Sequence, residues 1–148
     1  MSTQTIRLEN GTEYSGEMEN NRPHGHGVLL DSQGNRYQGE FKDGKMDGKG
    51  ELAQADGTTY MGEFKENMFH GQGVLLQPNN CRYEGEFANN RFHGQGKLVQ
   101  GDGSGWEGGF SDGAIAGAGV ISMPSGERIK GSFVDGAFQP EKEPGGSA

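Results

Sequence analysis

A chain of 148 residues has room for one domain, and 29 glycines with only 30% hydrophobic residues leave too little apolar material for a thick two-layer core. A formal net charge of −8 excludes a nucleic-acid binder, which needs a basic face to displace counterions from phosphates, and it disfavours simple adhesion to anionic lipid. The single cysteine, Cys81, excludes a disulfide framework and a cysteine-rich metal site, and reads as a half-buried thiol in a reducing compartment.

Along the chain, the first residues hold no charged stretch followed by a long apolar run, so no secretory signal is expected, and no transmembrane segment follows. A strict 23-residue period then begins. Tyr14, Tyr37, Tyr60, Tyr83, Trp106 and Ile129 form one column, taken here as position 0. Position 2 is Gly16, Gly39, Gly62, Gly85, Gly108 and Gly131, and position 4 is Met18, Phe41, Phe64, Phe87, Phe110 and Phe133. Two further glycine columns run through Gly48 and Gly50 and their equivalents, and an aliphatic column follows at Leu29, Leu52, Leu75, Leu98 and Ile121.

Positions 6 and 7 are Asn20-Asn21, Asp43-Gly44, Glu66-Asn67, Asn89-Asn90, Asp112-Gly113 and Asp135-Gly136. Such pairs tolerate φ > 0 and predict a two-residue hairpin turn in every copy. With the turn there, an unbroken ladder sets Phe64 opposite Phe69, Gly62 opposite Gly71 and Tyr60 opposite Gly73. The alternation of side chains then gathers the aromatic, glycine and aliphatic columns on one apolar face. The other face is expected to carry Glu–His pairs, Glu17 with His24, Glu63 with His70 and Glu86 with His93. Turns near Gly34, Gly57, Asn80, Gly103 and Gly126 join successive hairpins into a meander.

The expected fold is therefore all-β: an elongated, twisted, single-layer antiparallel sheet built from consecutive 23-residue β-hairpins, on the order of 50 Å long at about 4.8 Å per strand. Residues 1–138 form one domain, with a partial copy at 5–13, five copies at 14–36, 37–59, 60–82, 83–105 and 106–128, and a half copy at 129–138. Residues 139–148, rich in proline and glycine, read as a disordered tail.

Segments such as Tyr37-Gln-Gly-Glu-Phe-Lys-Asp-Gly-Lys-Met-Asp-Gly-Lys-Gly and Tyr83-Glu-Gly-Glu-Phe-Ala-Asn-Asn-Arg-Phe-His-Gly-Gln-Gly resemble the MORN (membrane occupation and recognition nexus) repeat. The resemblance implies tethering rather than catalysis, since arrays of this kind occur in cytoskeletal and junctional membrane proteins and as accessory parts of enzymes. It also implies a cytoplasmic location, with attachment to cytoskeleton or membrane, and the truncated copies fit the repeat region of a larger protein.

Functional expectations follow from the residues. The aromatic strip is the expected surface for a partner peptide or amphipathic helix, through Met46, Phe69, Phe92, Ile115 and Phe138 beside the turns together with Tyr37, Tyr60, Tyr83 and Trp106. Arg22, Lys42, Lys45, Lys65 and Arg91 gather near the turns as candidate contacts for phosphoinositide head groups in a weak membrane association. The divergent fifth copy and the open ends suggest homo-oligomers formed through terminal repeats. No metal site, cofactor or catalytic residue is expected: the histidine and glutamate columns repeat at about 10 Å, too far apart to converge on one ion or one substrate atom.

Overall fold

The computed structural model describes residues 2–141, and in it every expected turn closes a hairpin. Thirteen strands follow one another: β1 (Ser2–Arg7), β2 (Glu13–Glu19), β3 (Arg22–Leu30), β4 (Arg36–Lys42), β5 (Lys45–Ala53), β6 (Thr59–Lys65), β7 (Met68–Leu76), β8 (Arg82–Ala88), β9 (Arg91–Val99), β10 (Gly105–Ser111), β11 (Ala114–Ser122), β12 (Arg128–Val134) and β13 (Ala137–Pro140). They pair in chain order in one antiparallel sheet, with no helix among the described residues. β1 reaches back to Ser2, and β13 runs two residues past the boundary expected at 138, because Gln139 and Pro140 still pair with Ser132 and Gly131. The rest of the expected tail, 142–148, lies outside the described residues.

Both central residues of each hairpin turn have positive φ, for example Asp43 at 51° with Gly44 at 87° and Asn89 at 52° with Asn90 at 71°. This is the geometry that matches strand twist. The turns also tile along the sheet. The Asn67 N–H donates to the Met46 carbonyl at 2.9 Å while the Met46 N–H donates to Asn67 Oδ1 at 2.9 Å. Asn90 repeats the exchange with Phe69. An asparagine at position 7 thus supplies both bonds of a ladder rung where glycine supplies one.

The register departs from the unbroken ladder. Phe64 does face Phe69, but Gly62 faces Gly73 and Tyr60 faces Leu75. Between the two glycine and phenylalanine pairs, one residue on the first strand confronts three on the second, as Glu63 does Gly71 and its two neighbours. The bulge turns on the glycine at position 11, whose φ is +98° at Gly48 and +67° at Gly71 and Gly94, a conformation costly for any other residue. The last hairpin has Pro140 there, which is held at negative φ, and it alone keeps the simple register, Gly131 opposite Pro140.

A slip of two residues preserves which face each side chain takes. The expected apolar face is therefore intact, with new neighbours. Tyr14, Leu29, Tyr37, Leu52, Tyr60, Leu75, Tyr83, Leu98, Trp106, Ile121 and Ile129 make one continuous row, and beside it eleven paired glycines run from Gly16 to Gly131. Each tyrosine ring lies diagonally over the second glycine of its own hairpin: a Cβ at Gly50 would stand 2.6 Å from Tyr37 Cζ. Tyr37, Tyr60 and Tyr83 are 1% exposed although no second layer covers them. The rings cover one another, Phe69 stacked on Tyr60 and Phe92 on Tyr83 at 3.9 Å, with edge-on phenylalanines filling the flanks.

The Glu–His pairs do not form. Because of the bulge, the Glu63 carboxylate accepts the Gln72 N–H at 2.6 Å, and Glu17, Glu40 and Glu86 accept the corresponding N–H of His26, Lys49 and Gln95. His24 instead stands between Glu19 and Asp43, at 3.5 and 3.8 Å. In the fifth repeat Gly109 replaces the glutamate and the bulge persists, so the carboxylate stabilises the bulge without dictating it. Replacing Glu63 by alanine is accordingly expected to cost about 1–2 kcal/mol, the low end for a charge-assisted bond near water, and Glu63→Gln much less. Urea midpoints of the two variants check this; negligible loss in both would mean that the Glu63 oxygen contributes nothing.

Candidate functional site

Three surfaces are available, and the first is the ring face. Tyr37, Tyr60, Tyr83 and Trp106 are sealed beneath their neighbours and present no surface to a partner while the sheet is closed. Their polar ends are satisfied internally: the tyrosine hydroxyls donate to the carbonyls of Glu40, Glu63 and Glu86 at 2.6–2.7 Å, and Trp106 Nε1 donates to Gly109 at 2.9 Å. Burial, followed by the neighbouring glutamate charge, pushes the Tyr60 and Tyr83 phenols up to about 12. Tyr37 rises in the same direction for the same reasons. Met46, Phe69, Phe92, Ile115 and Phe138 form the outer skin of this face and are half-buried. Of the nine expected contact residues, only these five reach the surface.

The second surface is on the opposite face, where sequence reasoning placed only polar columns. The side chains at positions 1, 3, 12 and 14 point away from the rings, and between them the paired glycines leave bare backbone. A groove of about 870 Å³ opens there across β2 to β7, floored by Gly16, Gly27, Gly39, Gly50 and Gly62 and walled by Val28, Gln38, Met61 and Gln72 among others. Smaller depressions continue the same line over β8–β13, along Gly85, Gly96, Gly108, Gly119 and Gly131. Leu30, Met61 and Leu76, all on this face, are 41%, 57% and 43% exposed. The signal that could have found this face was the set of apolar residues among its polar columns, Val28, Met61 and Val74.

The third surface is the row of turns. Arg22, Lys42, Lys45 and Lys65 line one depression of about 580 Å³ together with Asp43, Asp47, Glu63, Glu66 and His70, while Arg91 lies farther along, on β9. Lys42 and Lys45 are directly opposed across the ladder, a like-charge arrangement that destabilises a sheet. Among the described residues none of these five cations forms an ion pair. The nearby acids are partly engaged elsewhere, Glu63 with Gln72 and Asp47 with the Glu66 N–H at 3.4 Å.

Among the described residues no three His, Cys, Asp or Glu side chains converge as metal ligands would. Among the described residues no helix is long and apolar enough to cross a membrane. A family model for the MORN repeat matches residues 14–36, 37–59, 60–82, 83–105 and 106–128, the five copies set by the aromatic period. No curated protein matches the chain.

Proposed function

The chain belongs to the MORN repeat family, and from that membership and its uncovered sheet we propose that it is a non-catalytic adaptor that holds a segment of a partner protein. The carrying observation is the exposure of Met61 in the wall of the glycine-floored groove, with Leu30 and Leu76 exposed elsewhere on the same face, since apolar exposure at a concave surface marks an interaction site. The skin of the ring face, Phe69 and Phe92 above all, offers a second, shallower contact. The carboxylates of Glu40, Glu63 and Glu86 are tied to backbone N–H groups rather than free for acid–base chemistry.

The test is photo-cross-linking from within the cell's own lysate, with the reactive residue placed at Met61, at Phe69 or on the remote turn at Pro124. Adducts of one partner from Met61 or Phe69 and none from Pro124 are expected. Absence of adducts from both faces would sink the adaptor reading.

A membrane reading has one observation in its favour, the four unpaired cations of a single depression. It predicts selective binding to phosphoinositide vesicles, and binding that vanished at modest salt would reduce it to non-specific attraction. The adaptor reading also accommodates end-to-end self-association through the free edges of β1 and β13. A sedimentation coefficient independent of concentration would rule that out.

A further inference from the structure

The connections that join one hairpin to the next are built alike. In the first, between β1 and β2, the Leu8 N–H donates to the Thr12 carbonyl at 2.8 Å and the Gly11 N–H to the Leu8 carbonyl at 3.0 Å. Glu9 and Asn10 have negative φ and Gly11 stands at +89°, which makes a type I turn followed by a left-handed residue. Asn10 Oδ1 accepts the Thr12 N–H at 3.0 Å. The same bond recurs at Asp56, Asn79 and Asp102, which accept the N–H of Thr58, Cys81 and Ser104 at 2.8–3.1 Å.

One of these four side chains is also placed to react. Asparagine is chemically labile because the backbone nitrogen of the next residue can attack its Cγ. A C–N bond then closes a five-membered succinimide, the C–NH2 bond breaks, and ammonia leaves with the proton of the attacking nitrogen. Water opens the ring at one carbonyl to give aspartate, or at the other to give isoaspartate, whose main chain runs through Cβ and is one carbon longer. The reaction needs an unshielded nitrogen and a neutral amide. Gly11 supplies the first, having no side chain. Asn79 carries the amide, but Asn80 follows it, and no asparagine other than Asn10 precedes a glycine. Asp56 and Asp102 do precede glycines, yet hydrogen bonds from Thr58 and from Ser104 hold their carboxyls below the ordinary carboxylate range, so they stay ionised and resist attack.

The closed turn keeps the reacting groups occupied, the Gly11 N–H by Leu8 and the Asn10 oxygen by Thr12. Asn10 is exposed, and β1 pairs on one side only, with β2, so this turn opens more readily than those between interior strands. We propose that Asn10 is a self-modification site, forming a succinimide with Gly11 whenever the β1–β2 turn opens. The aspartate product re-forms the turn, as Asp56 and Asp102 do. The isoaspartate product does not, because the added main-chain carbon separates Leu8 from Gly11 and Thr12 and breaks both backbone bonds. β1 is then released, which uncovers the edge of β2 and the flank of Tyr14, the strand partner of Ile6. The reaction consumes only water and stands apart from the adaptor role.

The test ages the purified chain at neutral pH, both folded and in denaturing urea, and maps it by peptide mass spectrometry with fragmentation that separates aspartate from isoaspartate. In urea, where the following side chain alone distinguishes the two sites, Asn10 should convert at least about tenfold faster than Asn79. In the folded chain its conversion should slow about tenfold or more, by the same factor as hydrogen exchange at the Gly11 amide. Asn10→Gln, whose ring would need six members, should remain unmodified over the same period, with circular dichroism verifying its fold. Asn10→Asp should keep the amides of Ile6 and Tyr14 protected, whereas the isolated isoaspartyl chain should lose that protection about tenfold or more.

Equal rates at Asn10 and Asn79 in urea would overturn the proposal, as would folded-state conversion as fast as in urea. An isoaspartyl chain with Ile6 and Tyr14 still protected, or an Asn10→Asp chain without that protection, would overturn it equally.

Discussion

As the pH rises from about 10 to about 12, the sheet is expected to lose most of its stability, in a transition followed together by circular dichroism and tyrosinate absorbance. Tyr60 and Tyr83 are held neutral by burial and by Glu63 and Glu86, and their phenols are pushed up to about 12. In the unfolded chain the same groups ionise near 10. The sign follows: the unfolded state releases its protons first, so the stability from these rings is full below about pH 10 and is lost as pH passes upward through 12. Each shift of about two units corresponds to roughly 2–3 kcal/mol. Two of them, with Tyr37 displaced in the same direction, remove a large part of the 5–15 kcal/mol typical of a small domain. Tyr60→Phe separates the titration from the ring. It should cost about 1 kcal/mol at neutral pH for the lost bond to the Glu63 carbonyl, yet shrink the alkaline loss. Tyrosines that ionised near 10 with the sheet intact would contradict this account.

The tyrosine result bears on how much could be read from the sequence. The aromatic period, the asparagine and glycine pairs at the turns and the alternation of faces were legible because each is a local property of residue type, repeated without a slip. The pairing between strands was not, because an identical period holds for any register of even offset. The glycines at position 11, Gly48 and Gly71 among them, carried the clue: an isolated glycine within a strand often marks a bulge. Missing it placed Tyr60 against Gly73 as a direct partner rather than diagonally above it, and paired Glu17, Glu63 and Glu86 with histidines rather than with backbone N–H groups. It also left Tyr37, Tyr60, Tyr83 and Trp106 as candidate contacts, when packing by their neighbours, Phe69 on Tyr60 and Phe92 on Tyr83 among them, buries all four. The groove was hidden for a different reason. It lies on the face assigned to polar columns, and its walls, Val28, Gln38, Met61 and Gln72, come together only through the pairing of the strands.

The contact between ring and glycine predicts the largest single-site effect in the molecule. Gly73 has no positive φ, so alanine there meets no backbone penalty, but its Cβ would lie 2.6 Å from Cε1 and Cζ of Tyr60. The ring cannot retreat, being stacked by Phe69 and hydrogen-bonded to the Glu63 carbonyl. Gly73→Ala is therefore expected to cost about 3 kcal/mol, the upper range for overpacking. Gly117→Ala is the control: its φ is +74° with nothing within 4 Å of the added carbon, so it should lose only about 1 kcal/mol through the backbone. Tyr60→Ala should cost about 3–5 kcal/mol by opening a cavity in the ring row. In the double variant the clash has no ring to strike, so the total should be close to that of Tyr60→Ala alone, with a coupling of about 2–3 kcal/mol. Neighbouring repeats contact only each other, so urea midpoints should be paired with hydrogen exchange, which reports whether the loss is confined to β6–β8. Additive costs would mean that something other than the tyrosine ring forbids a side chain at Gly73. Coupled costs would make each ring the reason for its glycine.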